Sequence, residues 1–217
     1  MDYKNVIVKK PWGQEYLCYH NNNVAIWFLH IKEGQRTSMH CHPNKNTGFV
    51  VLQGQTFLSF LRGGVNINGL NKINIFRSRF HSTRAITDAY IFEIETPEDK
   101  GDLVRLEDNY GRVGKKYEGS SHHENKTEEC FWLDEASIEP EESYLCGCEM
   151  KHIIIEDKRL LLNKKETEMI VITSGGLVTK EGQNILWPGD VIDGKSLERL
   201  TKAFELGKNT TILSITK

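Results

Sequence analysis

The first half of this chain is built almost entirely from short β-type runs: Val24–Ile31, Gly48–Leu52, Thr56–Leu61, Ile73–Phe76 and Ala89–Glu95. Each is rich in Val, Ile or Phe and bounded by Gly, Asn or Asp, the composition of strands separated by turns. Gly63-Gly64 and Asn68-Gly69 supply residues that tolerate the positive φ of tight hairpins. No stretch before residue 130 sustains a helical period. The pattern predicts an all-β fold, with strands closing into a barrel or jelly roll.

The pattern then repeats. GFVVLQG ends on Gly54 and MIVITSG ends on Gly175, each a β-run closing on a turn glycine. Between them, residues 113–150 are polar and acidic. The β-type runs resume at His152–Ile155 and continue through Met169–Thr173, Gly176–Thr179, Ile185–Trp187 and Thr211–Ile215, with a short helix expected at Glu198–Leu206. The expected organisation is two barrels in tandem: residues 1–112, a linker at 113–150, and a smaller second barrel at 151–217.

Composition removes several classes of function. With 28 Lys+Arg against 30 Asp+Glu, the formal net charge of the 217 residues is -2, so no basic field marks a nucleic-acid partner or an anionic membrane surface. No apolar run approaches the ~20 residues of a membrane span, and the N-terminal stretch lacks the apolar core of a signal peptide. The chain is therefore expected to be cytoplasmic. There its five cysteines, Cys18, Cys41, Cys130, Cys146 and Cys148, are expected as free thiols. Unpaired strand edges and a second barrel suggest a homodimer.

The chemistry concentrates between Gly34 and Gly54, GQRTSMHCHPNKNTGFVVLQG. Alternation along a strand puts His40 and His42 on one face. A later antiparallel strand carrying His81 could join them. Two histidines on one strand face are common on surfaces, but the flanking glycines and the third histidine favour an inward cluster. Three imidazoles suit a divalent transition metal: Zn, Fe, Mn or Ni.

This spacing resembles the first motif of the cupin superfamily, G-x5-H-x-H-x4-E-x6-G, with Gly34, His40, His42 and Gly54 in place and Thr47 where the glutamate would be. His81, in FRSRFHSTRAI, matches the histidine of the second motif, although Phe76 and Ser78 replace the proline and glycine that usually precede it. The resemblance implies a tandem double-stranded β-helix, a jelly-roll bicupin. Aligning Gly175 with Gly54 sets Leu161, Asn163, Glu168 and Asp193 at the ligand positions of the second barrel. That set is poor for a transition metal, so the second barrel is expected to be structural or to form an interface.

Two flanking segments are similar to the cupin part of type II phosphomannose isomerases, including those fused to a mannose-1-phosphate guanylyltransferase. One is Lys10-Pro11-Trp12-Gly13 with Glu15. The other is the stretch GDLVRLEDNYGR from Gly101 to Arg112. A G-x-R-x-S turn is matched by Gly34, Arg36 and Ser38. The likeness covers roughly half of the chain, about residues 8–118. It departs at His40, where that family has Gln, and at Thr47, where it has Glu; that family also has a single cupin.

The resemblance implies a pocket for a sugar phosphate or nucleotide sugar, with Arg36, Ser38, Arg105 and Arg112 as substrate-binding residues. Guanidinium forks suit phosphate or carboxylate, though Arg105 could equally pair with Glu107 or Asp108 at the barrel rim. Trp12 is expected to plug the barrel, and His122 and His123 to be solvated. The leading expectation is a metal-dependent isomerase or epimerase of the mannose-6-phosphate isomerase type. Glu93 and Glu95, on one face of the run IFEIE, are its candidate bases. The alternatives are a three-histidine iron dioxygenase, favoured by the missing glutamate, and a non-catalytic sugar-binding cupin.

Overall fold

The structure, a computed structural model, describes residues 3–217. The chain is all-β, as expected. A seven-stranded antiparallel sheet runs in the order His123–Asn125, Val6–Lys10, Gly13–His20, Ala25–Ile31, Ala89–Thr96, Asn46–Gln53 and Asn71–Ile75. A five-stranded sheet runs Val104–Glu107, Met39–Cys41, His81–Ala85, Gln55–Phe60 and Gly64–Asn68. Leu17, Trp27, Phe49 and Ile91 of the first sheet share one buried cluster with Leu58, Ile67 and Ala85 of the second, so the two sheets close over a common interior. Trp12 is buried in the same cluster and lines the cavity described below, consistent with a plug.

The second half repeats the plan on a smaller scale. Its five-stranded sheet is Ser143–Leu145, Cys148–Ile154, Thr211–Thr216, Met169–Ser174 and Val191–Asp193. A three-stranded sheet is formed by Asn184–Leu186, Leu177–Val178 and Glu205–Leu206. The helix expected at Glu198–Leu206 is Gly194–Ala203. It starts earlier because the Asp193 side chain accepts from the Ser196 amide at 2.8 Å and caps it.

The uninterrupted apolar run of Asn46–Gln53 has a structural cause. Phe49 and Val51 face the first barrel's interior, whereas Val50 and Leu52 join a second cluster with Met150, Met169, Val171, Leu213 and Ile215. A strand buried on both faces loses the apolar–polar alternation of a half-exposed one. Close approach requires Gly48, where a Cβ would fall 2.6 Å from Val191 Cγ2. Asn74 fixes the joint like an extra strand residue. Its amide nitrogen donates to the Val191 carbonyl at 2.8 Å, and its oxygen accepts from the Val191 amide at 2.9 Å.

Residues 113–150, expected as a linker, are tied to both halves. His123–Asn125 pairs with Val6–Val8, the Leu133 amide donates to Cys18 O at 2.9 Å, and Ser143–Leu145 pairs with Cys148–Met150. His123, expected to be solvated, is partly buried against Tyr3 with ring centroids 5.7 Å apart, while His122 is exposed. All five cysteines are free. Among the described residues no helix is long and apolar enough to cross a membrane.

Candidate metal centre and its cavity

His40 and His81 are direct cross-strand partners, and His42 follows His40 just past the end of Met39–Cys41. The ring centroids lie 4.5 Å apart for His40–His81, 4.9 Å for His40–His42 and 5.6 Å for His42–His81. One nitrogen from each ring lies within 4.8 Å of the other two. Among the described residues this is the one such cluster of His, Cys, Asp or Glu.

Each Nδ1 is committed to a backbone carbonyl: His40 to Ser38 O at 2.8 Å, His42 to Asp102 O at 2.6 Å and His81 to Arg79 O at 2.9 Å. A carbonyl only accepts, so Nδ1 carries the hydrogen and Nε2 keeps a lone pair. Nε2 of His42 and of His81 is buried without a partner. Burial pushes His42 down to about 3 and His81 to about 4. It also lowers His40 well below the usual histidine range, with His81 and His42 adding to the effect. Neutral rings oriented by carbonyl acceptors, with unpartnered lone pairs converging, fit a transition-metal ion.

His40 and His42 line a cavity of about 60 Å³. Its wall carries Glu93 and Glu95, on the inner face of Ala89–Thr96 as their spacing predicts. The two carboxylates differ. Glu95 Oε1 accepts from Lys45 Nζ at 2.7 Å and Lys100 Nζ at 3.0 Å, while Oε2 is buried without a partner. Burial pushes its pKa up, but Lys100 and Lys45 outweigh burial and hold it below the usual carboxylate range. Glu93 is buried with no hydrogen-bond partner among the described residues. Burial raises its pKa well above the usual carboxylate range, and Lys100 opposes this only in part.

Arg105, Arg112 and Ser38 also line the cavity. Arg105 lies opposite His40 in the sheet. It does not pair with Glu107. Its Nη1 donates to the carbonyls of Lys115 and Lys116 at 2.6 and 3.2 Å, Nη2 sits 3.5 Å from Glu118, and Nε is buried without an acceptor. Arg112 is held by Asp108 at 2.6 Å and Glu118 at 2.7 Å. Arg36, expected beside them, is not on the cavity wall. Its Nη2 donates to Asn109 Oδ1 at 2.8 Å. The segment before Met39 is not a continuous strand: Arg36 makes only an isolated bridge to Arg84, so strand alternation does not extend back to it.

Sequence reasoning assigned no role to a chain of buried charges. Lys100 joins Glu95 to Glu15 at 3.4 Å, and Lys10 lies 3.5 Å from Glu15 and also contacts Glu118. Tyr117 donates to Glu15. The Lys100 ammonium sits 3.6 Å from the Trp27 ring centroid, and that of Lys10 3.8 Å from that of Tyr117. Lys10 and Glu15 bracket the Pro11-Trp12-Gly13 motif, and Lys45 lies just before the strand Asn46–Gln53 that carries Thr47, so these positions carried a local signal. Tyr117 and Glu118 carried none.

In the second half, Glu168 accepts from Lys164 at 3.0 Å and Ser214 at 2.7 Å, and Leu161 is core. With Asp193 serving as a helix cap, these residues do not converge as ligands.

No protein-family model and no curated protein sequence matches the chain. Similar solved structures include KdgF from Halomonas sp., at 14% identity and a TM-score of 0.40, covering 42% of this chain and 84% of that one. CapF from Staphylococcus aureus, a capsular polysaccharide assembling protein, overlays at 16% identity and a TM-score of 0.42, over 47% of this chain and 34% of its own. An RmlC-like cupin from Shewanella frigidimarina overlays at 11% identity and a TM-score of 0.41, over 45% and 87%. Likeness this distant, over less than half of the chain, leaves function open.

Proposed function

We propose that this chain is a metal-dependent cupin enzyme acting on a phosphorylated or nucleotide-linked sugar, with isomerase or epimerase chemistry. One observation carries the reading. The cavity wall carries His40 and His42 of the three-histidine cluster together with a buried carboxylate, Glu93, that makes no ion pair. When bound at His40, His42 and His81, the metal supplies a Lewis acid for the carbonyl and hydroxyl oxygens of the sugar.

Glu93 is the base. It takes the proton from the carbon next to the carbonyl; the electron pair of that C–H bond forms a carbon–carbon double bond while the carbonyl π pair moves onto its oxygen, giving an enediolate. Returning the proton to the neighbouring carbon, as the hydroxyl proton there passes to the former carbonyl oxygen, completes an aldose–ketose interconversion; an epimerisation takes its proton from a donor on the opposite face. A carboxyl raised toward neutrality suits both directions of transfer. Glu95 is too firmly held by Lys45 and Lys100 for this role. Arg105 and Arg112 line the cavity with their forks held by Asp108, Glu118 and the Lys115 and Lys116 carbonyls, and the unpartnered Arg105 Nε is the free donor for a phosphate oxygen.

The absence of a motif glutamate at Thr47 favours a second reading, a three-histidine iron dioxygenase. Oxygen uptake by the iron-loaded protein separates the two. The proposal is tested by titrating mannose 6-phosphate and mannose against the zinc-loaded protein and its Arg105→Ala variant. Charge-assisted hydrogen bonds contribute ~1.5–3 kcal/mol, so the phosphorylated sugar should bind about 10- to 100-fold more weakly to the variant. Equal affinity for the two sugars contradicts the reading.

A further inference from the structure

Thr47, which stands where the motif glutamate would be, is paired directly with Glu95 on the adjacent antiparallel strand. Directly opposed residues of an antiparallel pair project from the same face of the sheet. Each side chain also ends in a buried oxygen without a partner, Thr47 Oγ1 and Glu95 Oε2. The other Glu95 oxygen is fixed by Lys45 and Lys100, which sets the orientation of the carboxylate.

We propose that Glu95 supplies, from the neighbouring strand, the negative charge that position 47 lacks, acting as the anionic positioning residue of the metal site. The inference rests on the metal reading above. Three neutral imidazoles leave the full double charge of a bound cation in a buried site, and the Lys45 ammonium already adds positive charge there. A carboxylate with one free oxygen on that face offsets it. Glu95 lies outside the cluster of three ring nitrogens, so it acts from beyond the ligand set. The two glutamates then divide the work: Glu93, which makes no ion pair, moves protons, and Glu95, pinned by two lysines, holds charge.

The test is zinc affinity of the full chain, measured by competition with a chromogenic chelator at fixed pH and salt. Glu95→Gln should weaken zinc binding about 10-fold or more, the scale on which groups outside the ligand set act. Glu93→Gln should leave it within about threefold, a margin well inside that scale. The double variant Thr47→Glu/Glu95→Gln returns a carboxylate to the facing position and should recover affinity to near wild type, separating lost charge from a damaged fold. Wild-type affinity in Glu95→Gln overturns the proposal. So does a loss in Glu93→Gln as large as in Glu95→Gln, or a folded double variant that stays weak. A wild-type chain that binds no zinc overturns the metal reading itself, a distinct outcome.

Discussion

His40 and His81 stand directly across from each other on adjacent antiparallel strands, with their rings 4.5 Å apart and each Nδ1 anchored to a carbonyl of its own strand or the turn before it. The sheet register sets the distance between the two lone pairs, and the carbonyls set their direction. Either ring's removal should therefore be costly. His81→Ala is expected to lower zinc affinity by more than about 100-fold, beyond the effect of altering outer partners. Elemental analysis after dialysis checks this: stoichiometric zinc in a His40→Ala/His42→Ala/His81→Ala protein would place the metal elsewhere.

Glu93 gives a prediction for stability against pH in the metal-free protein. Its folded pKa is raised above the unfolded value. Its contribution is therefore fully present below the unfolded pKa, near 4.3, and is lost as pH rises through the folded pKa. Glu93→Gln removes that loss. The stability of the variant relative to wild type should rise between pH 4 and pH 9 by about 1–3 kcal/mol, since a tenfold change in an acid dissociation constant corresponds to about 1.4 kcal/mol. Urea unfolding at several pH values measures it, and a flat difference would mean that Glu93 ionises as an ordinary carboxylate.

Glu118 brings the far end of the charge chain together, with Lys10, Arg105 and Arg112 all converging on it. Glu118→Ala leaves these cations without their shared anion. Breaking a buried pair on one side costs about 3–5 kcal/mol, so the midpoint of chemical unfolding should drop accordingly. A loss below about 1 kcal/mol, the scale of an exposed pair, would show that solvent screens the cluster.

The contact between the two halves should be intolerant at Gly48. Gly48→Val pushes side-chain atoms into Val191 and the Gly189 carbonyl. Overpacking of this kind costs about 1–3 kcal/mol. Thermal unfolding is the readout, with Gly69→Val, at an open turn by comparison, as the reference substitution.

The three-histidine cluster was legible in part from strand alternation, with His40 and His42 two apart and Glu93 and Glu95 two apart, while His81 came from the motif resemblance. Arg36, placed beside Arg105 and Arg112 by the resemblance, is held instead by Asn109 off the cavity wall, because the residues before Met39 do not form a continuous strand. The charge chain was illegible for another reason. Lys10 and Glu118 are 108 residues apart, and a polar, acidic stretch after residue 112 gives no periodic sign that Tyr117 and Glu118 fold back over the first barrel. The shared core between the halves was visible only as an apolar run without alternation, which burial in a single barrel explains equally well.

Proton removal from carbon by Glu93, beside the three-histidine centre, is the central claim. The most direct measurement is hydrogen exchange into substrate in D₂O. Mannose 6-phosphate, glucose 6-phosphate and fructose 6-phosphate are incubated in turn with the zinc- or manganese-loaded protein and followed by proton NMR. Deuterium is expected at the carbon next to the carbonyl in at least one of them, and its incorporation should be lost in Glu93→Gln while that variant keeps its metal. Exchange that persists undiminished in Glu93→Gln, or none in any of the three with a fully loaded protein, would contradict the claim.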